Sequence, residues 1–140
     1  QVGLCWNEVS RRYVDEEPEF YFPKEWRGKP ITSKQGSNGK FDPNQIDYNL
    51  DMWSRTLCLN SLDLYQKCVK DGLCPEQARM ILPQNMMTEW IWTGNVASFG
   101  RVCKLRLDPH TQKETQDVVK LIYDLILPRF PNSIEAFIKY

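Results

Sequence analysis

The segment DPNQIDYNLDMWSRTLCLNSLDLYQKCVK, residues 42–70, carries the clearest helical pattern of the sequence. Its apolar residues recur at spacings of three, four and seven, which places them along one face of a helix. They are Ile46, Leu50, Trp53, Leu57, Leu64 and Cys68. Asp42 is a favourable N-cap and Pro43 a favourable first-turn residue. The pattern predicts a long amphipathic helix from Pro43 to Lys70, stopped by Asp71-Gly72.

Shorter elements lie on both sides of this helix. Apolar spacing and stop residues predict three further helices. They run from Cys74 through Ile81, ending near Pro83, from Thr111 to Leu127, ending at Pro128, and from Ser133 to Ile138. Alternating apolar and polar residues predict strands from Glu19 to Phe22 and from Thr88 to Trp92. The predicted fold class is α+β, dominated by helices, with a small antiparallel sheet packed against the long helices.

The composition narrows the class of protein. The chain has 140 residues and a mass of 16.5 kDa, which suits one domain over residues 1–140. Its 18 basic and 18 acidic residues cancel, so the excess positive charge typical of nucleic-acid binding is absent. No apolar run approaches the roughly 20 residues that cross a bilayer. We therefore expect neither a nucleic acid nor a membrane as a partner.

The cysteines and the histidine bear on redox and metal chemistry. The five cysteines are Cys5, Cys58, Cys68, Cys74 and Cys103, an odd number without a C-x-x-C pair. The chain is large enough not to need disulfides, and no secretory signal pattern opens it, so we expect a cytoplasmic protein. Because His110 is the only histidine, the ligands of a metal site would be scattered, and we expect no metal.

The segment CWNEVSRRY, residues 5–13, is unusually rich in polar chemistry. It holds an amide, a carboxylate, a hydroxyl and two guanidiniums. Arginine binds phosphate in a bidentate manner, and serine adds a hydroxyl and a backbone N–H. A phosphate site around Ser10 is therefore one interpretation. The alternative is a solvated turn capped by Ser10, since charge clusters on protein surfaces are common.

Two further arginines stand in distinctive surroundings. Arg79 lies in the short second helix, where the alternative to ligand binding is a cation that interacts with the helix dipole. Arg106 lies between two leucines, so we expect a half-buried guanidinium that needs a partner. A planar ligand with carbonyl acceptors is one candidate partner, and Asp108 is the other. His110 is open to the simpler interpretation of a capping residue. No Gly-rich dinucleotide or P-loop motif is present.

Taken in chain order, these segments resemble the flavin-dependent thymidylate synthase family. The second half of the family signature Arg-His-Arg-x-x-Ser-x-Asn-Glu-x-Ser-x-Arg-Tyr is present as NEVSRRY, residues 7–13. Further matching motifs are ARMILP at 78–83, TEW at 88–90, GN at 94–95, LRLDPHTQ at 105–112 and EAFIKY at 135–140. The match covers nearly the whole chain in register, with consistent order and spacing.

The resemblance implies the reductive methylation of dUMP to dTMP. The one-carbon unit would come from methylenetetrahydrofolate, and the hydride would pass from NADPH through FAD. The implied substrate-binding residues are Glu8, Ser10, Arg11, Arg12, Arg79 and Arg106, of which Arg106 is also the catalytic candidate at the uracil carbonyls. Glu8 would lie between nucleotide and flavin. The implied cofactor-binding residues are Asn7, Glu8, Asn95, Leu105 and His110.

The family also implies an assembly and leaves two alternatives. Its active sites lie between the subunits of a homotetramer. Since the Arg-His-Arg start of the signature is not in this chain, the match predicts the C-terminal portion of a synthase subunit. One alternative is an incomplete or inactive nucleotide-binding module that binds dUMP without flavin. The other is a helical interaction protein whose stripe from Ile46 to Cys68 packs against a partner.

Overall fold

The computed structural model describes residues 3–10, 16–31 and 36–139. The elements in chain order are β1 (Leu4–Glu8), β2 (Arg27–Gly28), β3 (Asn38–Lys40), α1 (Leu50–Lys70), α2 (Pro75–Ala78), β4 (Trp90–Gly94), α3 (Val96–Arg106), α4 (Lys113–Ile126) and α5 (Pro131–Lys139). Two 3-10 turns lie at Pro43–Gln45 and Arg79–Ile81. β1 pairs with β4, and β2 pairs antiparallel with β3. The α+β class with dominant helices is confirmed.

The chain forms two compact units. The first unit consists of Gln1–Trp6, Arg27–Phe41 and Trp92–Tyr140. The second unit consists of Asn7–Trp26 and Asp42–Ile91.

The core of the first unit lies where α3 meets α4 and α5. Val102 and Cys103 of α3 are buried against Val119 of α4. On the side of α5, the ring of Phe137 lies so close to Gly100 that a Cβ there would be 2.7 Å from it. A glycine in the middle of α3 therefore permits the close packing of the two helices.

The core of the second unit lies between α1 and the segment formed by α2 and the 3-10 turn after it. Leu62 and Tyr65 of α1 are buried against Ala78 of α2, and Phe20 packs on the same cluster. At the end of α1, Gly72 adopts a φ of 95°, a left-handed conformation that favours glycine. The predicted stop of the long helix is confirmed.

The predicted start of the long helix is wrong by seven residues, since α1 begins at Leu50 instead of Pro43. Asp42 does cap a helical turn, but only the 3-10 turn Pro43–Gln45, where its side chain accepts from the backbone N–H of Asn44. Asn49 is the cap of α1, and its Oδ1 accepts from the backbone N–H of Met52 at 2.9 Å. The chain therefore offers two good caps, and only the second starts the α-helix.

Most of the apolar stripe of this helix lies away from the face that the structure buries. The residues of α1 that the structure buries are Cys58, Leu62 and Tyr65. By contrast, Trp53 and Leu57 of the predicted stripe are 58% and 60% exposed. Within the part of the chain that the structure describes, no element covers this second apolar face of α1.

The shorter predicted elements have mixed outcomes. The three further helices are confirmed as α2 with its following 3-10 turn, α4 and α5. The strand predicted from Glu19 to Phe22 is reduced to a single bridge between Phe20 and Met86. The strand predicted from Thr88 to Trp92 begins two residues later, as β4. Neither β1 nor α3 was expected, although the Asn95 cap and the spacing of Phe99, Val102 and Cys103 are typical of a helix.

Two further properties concern the surface and the thiols. Among the helices of residues 3–10, 16–31 and 36–139, none has the length and apolar character required to cross a membrane. All five cysteines are free thiols, with Cys58 and Cys103 buried and Cys5 and Cys74 exposed. Burial raises the pKa of the Cys103 thiol, which therefore stays protonated at neutral pH.

Candidate functional site

A groove in the first unit brings together three of the residues expected at the site. Leu105, Arg106 and His110 line a cavity of about 750 Å³ at the end of α3. The other lining residues are Gly36, Asp108, Thr111, Gln112 and Thr115. A cavity of this size suits a small organic ligand, since such sites usually measure about 300–1,000 Å³.

The turn between α3 and α4 fixes the shape of this groove. The backbone N–H of Thr111 donates to the carbonyl of Asp108 at 3.0 Å, which closes the turn. From the first turns of α4, Gln116 Nε2 donates to the carbonyl of Asp108 at 2.8 Å and to that of Thr111 at 3.0 Å. The groove wall is therefore tied to α4 by side-chain hydrogen bonds as well as by the chain itself.

His110 is held by Asp108 at the rim of the groove. Asp108 Oδ1 accepts from the backbone N–H of His110 at 2.8 Å and lies 2.9 Å from its Nδ1. These contacts hold the pKa of the Asp108 carboxyl below its usual range. The imidazole itself is 85% exposed, so it is accessible to a ligand. His110 is thus an accessible group of the groove as well as part of a local turn.

Arg106 differs from its sequence-based prediction. It lies in the last turn of α3 and is exposed, whereas a half-buried guanidinium was expected. The carboxylate proposed as its partner, Asp108, pairs with His110 instead. Its neighbour Leu105 is 52% exposed and adds an apolar surface to the groove. Arg106 is therefore a donor accessible to a ligand, beside an apolar side chain.

Asn95 lies in the first unit at the start of α3. Its Oδ1 accepts from the backbone N–H of Ser98 at 2.8 Å and from the Ser98 hydroxyl at 2.9 Å. The side-chain oxygen therefore caps the helix, and only the Nδ2 amide group remains for a ligand.

Asn7, Glu8 and Ser10 belong to the second unit, on β1 and directly after it. Glu8 Oε1 accepts from the hydroxyl of Thr88 at 2.7 Å. The backbone N–H of Val9 donates to the carbonyl of Glu89 at 2.8 Å, which continues the pairing beyond the strand. The Thr88 hydroxyl thus holds Oε1 of the Glu8 carboxylate, while Oε2 makes no bond to Thr88.

The remaining predicted residues are arginines. Arg79 begins the 3-10 turn Arg79–Ile81 of the second unit and is exposed. Arg11 and Arg12 lie outside the described residues. The structure thus places Asn7, Glu8, Ser10 and Arg79 in the second unit, and Asn95, Leu105, Arg106 and His110 in the first unit.

Sequence reasoning gave no ligand-orienting role to three residues that shape the site. Asp108 could have been assigned one, because an Asp two residues before a His, with a proline between them, is typical of a side-chain-closed turn. Thr88 was part of a matching motif, but its contact with Glu8 spans 80 positions. Gln116 gives no signal in the sequence, since its role depends on the angle between α4 and the preceding turn.

Comparison with known proteins assigns the fold and the family. The structure is similar to that of a UMP/dUMP methylase, PolB, from Streptomyces cacaoi bound with 5-Br dUMP, with a TM-score of 0.80 and 22% sequence identity. The similarity covers 99% of this chain and 63% of that one. Among sequences, a flavin-dependent thymidylate synthase from Dictyostelium discoideum is 32% identical over 96% of this chain and 44% of its own length.

A second relative and a family model agree with this result. The flavin-dependent thymidylate synthase of Thermosipho africanus is 33% identical over 96% of this chain and 58% of its own length. The family model for the thymidylate synthase complementing protein, Thy1, matches residues 2–132. The chain belongs to this family, and the resemblance inferred from its motifs is confirmed. It spans about half the length of the curated relatives that it matches.

Proposed function

We propose that this chain takes part in the reductive methylation of dUMP to dTMP, with methylenetetrahydrofolate as the one-carbon donor and NADPH as the source of the hydride, transferred through FAD. The observation that carries the proposal is the groove in which Arg106, His110 and Leu105 come together, in a chain of the Thy1 family. This groove combines a cationic donor, an imidazole and an apolar surface, which suits a planar polar ring.

In this proposal the nucleotide is bound at both of its ends. Ser10, Arg12, Arg79 and the backbone at Arg11 bind the phosphate, because two guanidiniums match a phosphate dianion. Ser10 acts in binding only, since a serine without a neighbouring base is a poor nucleophile. Glu8, oriented by Thr88, lies between nucleotide and flavin.

Arg106 acts at the uracil ring. Methylation at C5 requires an electron-rich, enolate-like ring that attacks the one-carbon unit, and such a ring carries negative charge on a uracil carbonyl oxygen before the attack. A guanidinium placed at this oxygen stabilises that charge. The exposure of Arg106 in the groove leaves its donors accessible for this role.

The cofactor is assigned to Asn7, Glu8, Asn95, Leu105 and His110. Exposed Leu105 offers an apolar face and His110 a polar edge, which fits a flat heterocycle. Asn95 fits through its Nδ2 amide alone, because its oxygen caps α3. A bound flavin would supply the hydride that it receives from NADPH.

The proposed partners are further copies of the same subunit. Four copies would form a homotetramer, with the active sites between the subunits. Its support is the uncovered apolar face of α1, on which Trp53, Leu57 and Leu64 are 58%, 60% and 49% exposed. Large exposed apolar patches are typical of interaction surfaces.

Separate calorimetric titrations with dUMP and FAD test the proposal. We expect Arg106→Ala to weaken dUMP binding at least about tenfold, the loss typical of a charge-assisted hydrogen bond. Arg101→Ala is the matched control, because Arg101 is an exposed arginine of the same helix that does not line this groove, and dUMP affinity should be unchanged.

The outcomes separate the alternatives. Binding of both ligands, with the loss confined to Arg106→Ala, supports the proposal and calls for a methylation assay. Binding of dUMP without FAD indicates an incomplete nucleotide-binding module. Binding of neither ligand contradicts the substrate assignment for this chain and favours the interaction protein.

A further inference from the structure

The contacts of Asp108 determine which nitrogen of His110 carries a proton. Asp108 Oδ1 lies 2.9 Å from His110 Nδ1 and also accepts from the His110 backbone N–H at 2.8 Å. A carboxylate can only accept hydrogen bonds, so the 2.9 Å contact requires a proton on Nδ1. An aspartate carboxyl is ionised at neutral pH, and the His110 hydrogen bonds hold the pKa of Asp108 below its ordinary value, so it acts here as an acceptor.

The backbone at Asp108 is held by two hydrogen bonds. The Asp108 carbonyl accepts from Thr111 N at 3.0 Å and from Gln116 Nε2 at 2.8 Å. These two bonds hold the turn against α4 and so limit the movement of the residue that contacts the imidazole. The contact between the two exposed side chains therefore extends from an ordered stretch of backbone.

A neutral imidazole has one N–H donor and one bare acceptor nitrogen. With Nδ1 protonated, the acceptor is Nε2. His110 lines the same groove as Arg106, whose guanidinium can only donate. The groove therefore combines an obligatory donor with an acceptor of fixed identity.

We propose that Asp108 is a positioning residue that holds His110 in the Nδ1–H form, so that Nε2 and Arg106 together recognise an imide edge, an N–H group next to a carbonyl. Arg106 donates to the carbonyl, and Nε2 accepts from the N–H. This ligand chemistry rests on the proposed function. Both uracil and the flavin ring carry such an edge. Uracil in this position would add His110 to the substrate-binding residues, and flavin would add Arg106 to the cofactor-binding residues, so dUMP and FAD are the two sources that the experiment distinguishes.

The tautomer can be measured without any ligand. Because the chain has a single histidine, the imidazole ¹⁵N signals of the labelled protein belong to His110 alone. At a pH where the ring is neutral, we expect Nδ1 to be protonated and Nε2 bare. Asp108→Ala should shift the ring towards the Nε2–H form that free histidine prefers. Asp108→Asn should keep the Nδ1–H form, because the amide oxygen still accepts.

A matched control is available on α4. Asp117 is an aspartate of similar exposure that pairs with Lys113 and does not line the groove, so Asp117→Asn should leave the spectrum unchanged. Circular dichroism verifies that each variant is folded. A wild-type ring in the Nε2–H form would overturn the proposal, and so would a folded Asp108→Ala variant with the wild-type spectrum.

Titration with dUMP and with FAD then identifies the ligand. The bound source should shift the Nε2 signal and bind Asp108→Ala about three- to tenfold more weakly, while Asp108→Asn and Asp117→Asn retain wild-type affinity. Equal affinity of Asp108→Ala and wild type for both ligands would overturn the recognition of an imide edge. If wild type binds neither ligand, the proposed function fails, and the tautomer spectra alone decide the positioning role of Asp108.

Discussion

Both carboxylate oxygens of Glu114 accept from the Arg27 guanidinium: Arg27 Nη2 donates to Oε1 at 2.7 Å and to Oε2 at 2.6 Å. The same guanidinium donates through Nε to the hydroxyl of Ser37 at 3.0 Å. Within the first unit, this arrangement connects strand β2 to the beginning of α4. The pair also lies close in sequence to Gly36 and Thr115, which line the groove.

Removal of this pair should destabilise the first unit. We expect Arg27→Met to lower the free energy of unfolding by about 1 kcal/mol, a modest value because the Glu114 side chain is 40% exposed. Urea unfolding measures the change. Lys67→Met is the control, because Lys67 pairs with Asp63 in an exposed contact one helical turn away, and its loss should give no resolvable change.

The contribution of this pair should depend on pH. The Arg27 guanidinium holds the pKa of Glu114 below its ordinary value of 4.5. The folded state therefore binds fewer protons than the unfolded state in this range, and the stabilisation is present above 4.5 and lost as the pH falls through the lowered pKa. The difference between wild type and Arg27→Met should thus shrink between about pH 7 and about pH 3. A difference that grows towards acid would contradict this assignment.

Asn95 allows capping and ligand binding to be separated. Asn95→Ala should cost about 1 kcal/mol, because Ser98 loses its cap acceptor. Asn95→Asp keeps the acceptor but removes the Nδ2 donor, so it should retain stability and bind FAD more weakly than wild type. Thermal unfolding and FAD titration measure the two effects.

A second helix cap provides the control for this pair of variants. Asn49 caps α1 in the same manner, by accepting from Met52 N, but it belongs to the second unit and was not predicted at the site. Asn49→Ala should lower stability to a similar extent and leave FAD affinity unchanged. If Asn95→Asp binds FAD like wild type, then Asn95 is only a helix cap.

The sequence predicted the existence of most helices but not which face of α1 is covered. Apolar residues extend around much of this helix, and periodicity alone selects the stripe with Trp53, Leu57 and Leu64. The buried residues lie on a different side: at 100° per residue, Tyr65 is roughly 100° and Leu62 roughly 160° around the axis from the centre of this stripe. Burial depends on where α2 packs, and this long-range information is not contained in the pattern of one helix.

The sequence motifs identified residues of the site, but they predicted neither the exposure of Arg106 nor the helix that carries it. Motif order identified Arg106 and His110, which the structure brings into one groove. The exposure of Arg106 could not be inferred from its two leucine neighbours, because one of them, Leu105, is itself exposed. Helix α3 was missed because Gly100 lowers its helix propensity, and the reason for that glycine lies in the packing of α5.

The uncovered face of α1 yields a prediction about assembly. If this face joins subunits, Leu57→Glu should shift the protein to smaller species in sedimentation velocity, because it places a charge in an apolar interface. Leu59→Glu is the matched control. Leu59 is similarly exposed, at 64%, but lies roughly 160° from Leu57 around the helix. Equal effects of the two variants, or no effect of Leu57→Glu, would exclude this face as the interface.

Because Phe137 packs on Gly100, we predict that the effect of Gly100→Ala on stability has opposite signs with and without the Phe137 side chain. In wild type, Gly100→Ala would place a Cβ 2.7 Å from Phe137 Cγ and 2.9 Å from Phe137 Cβ, atoms too close to the backbone to move aside. Overpacking of this kind costs about 1–3 kcal/mol, which exceeds the gain of about 1 kcal/mol in helix propensity. Gly100→Ala should therefore destabilise wild type. In a Phe137→Gly background, which removes the Cβ of residue 137 as well as its ring, the clash is absent, and the same substitution should stabilise the protein by up to about 1 kcal/mol. Urea unfolding of the four proteins in this double-mutant cycle measures both signs, and a destabilising effect in both backgrounds would show that α3 requires the glycine for a reason other than Phe137.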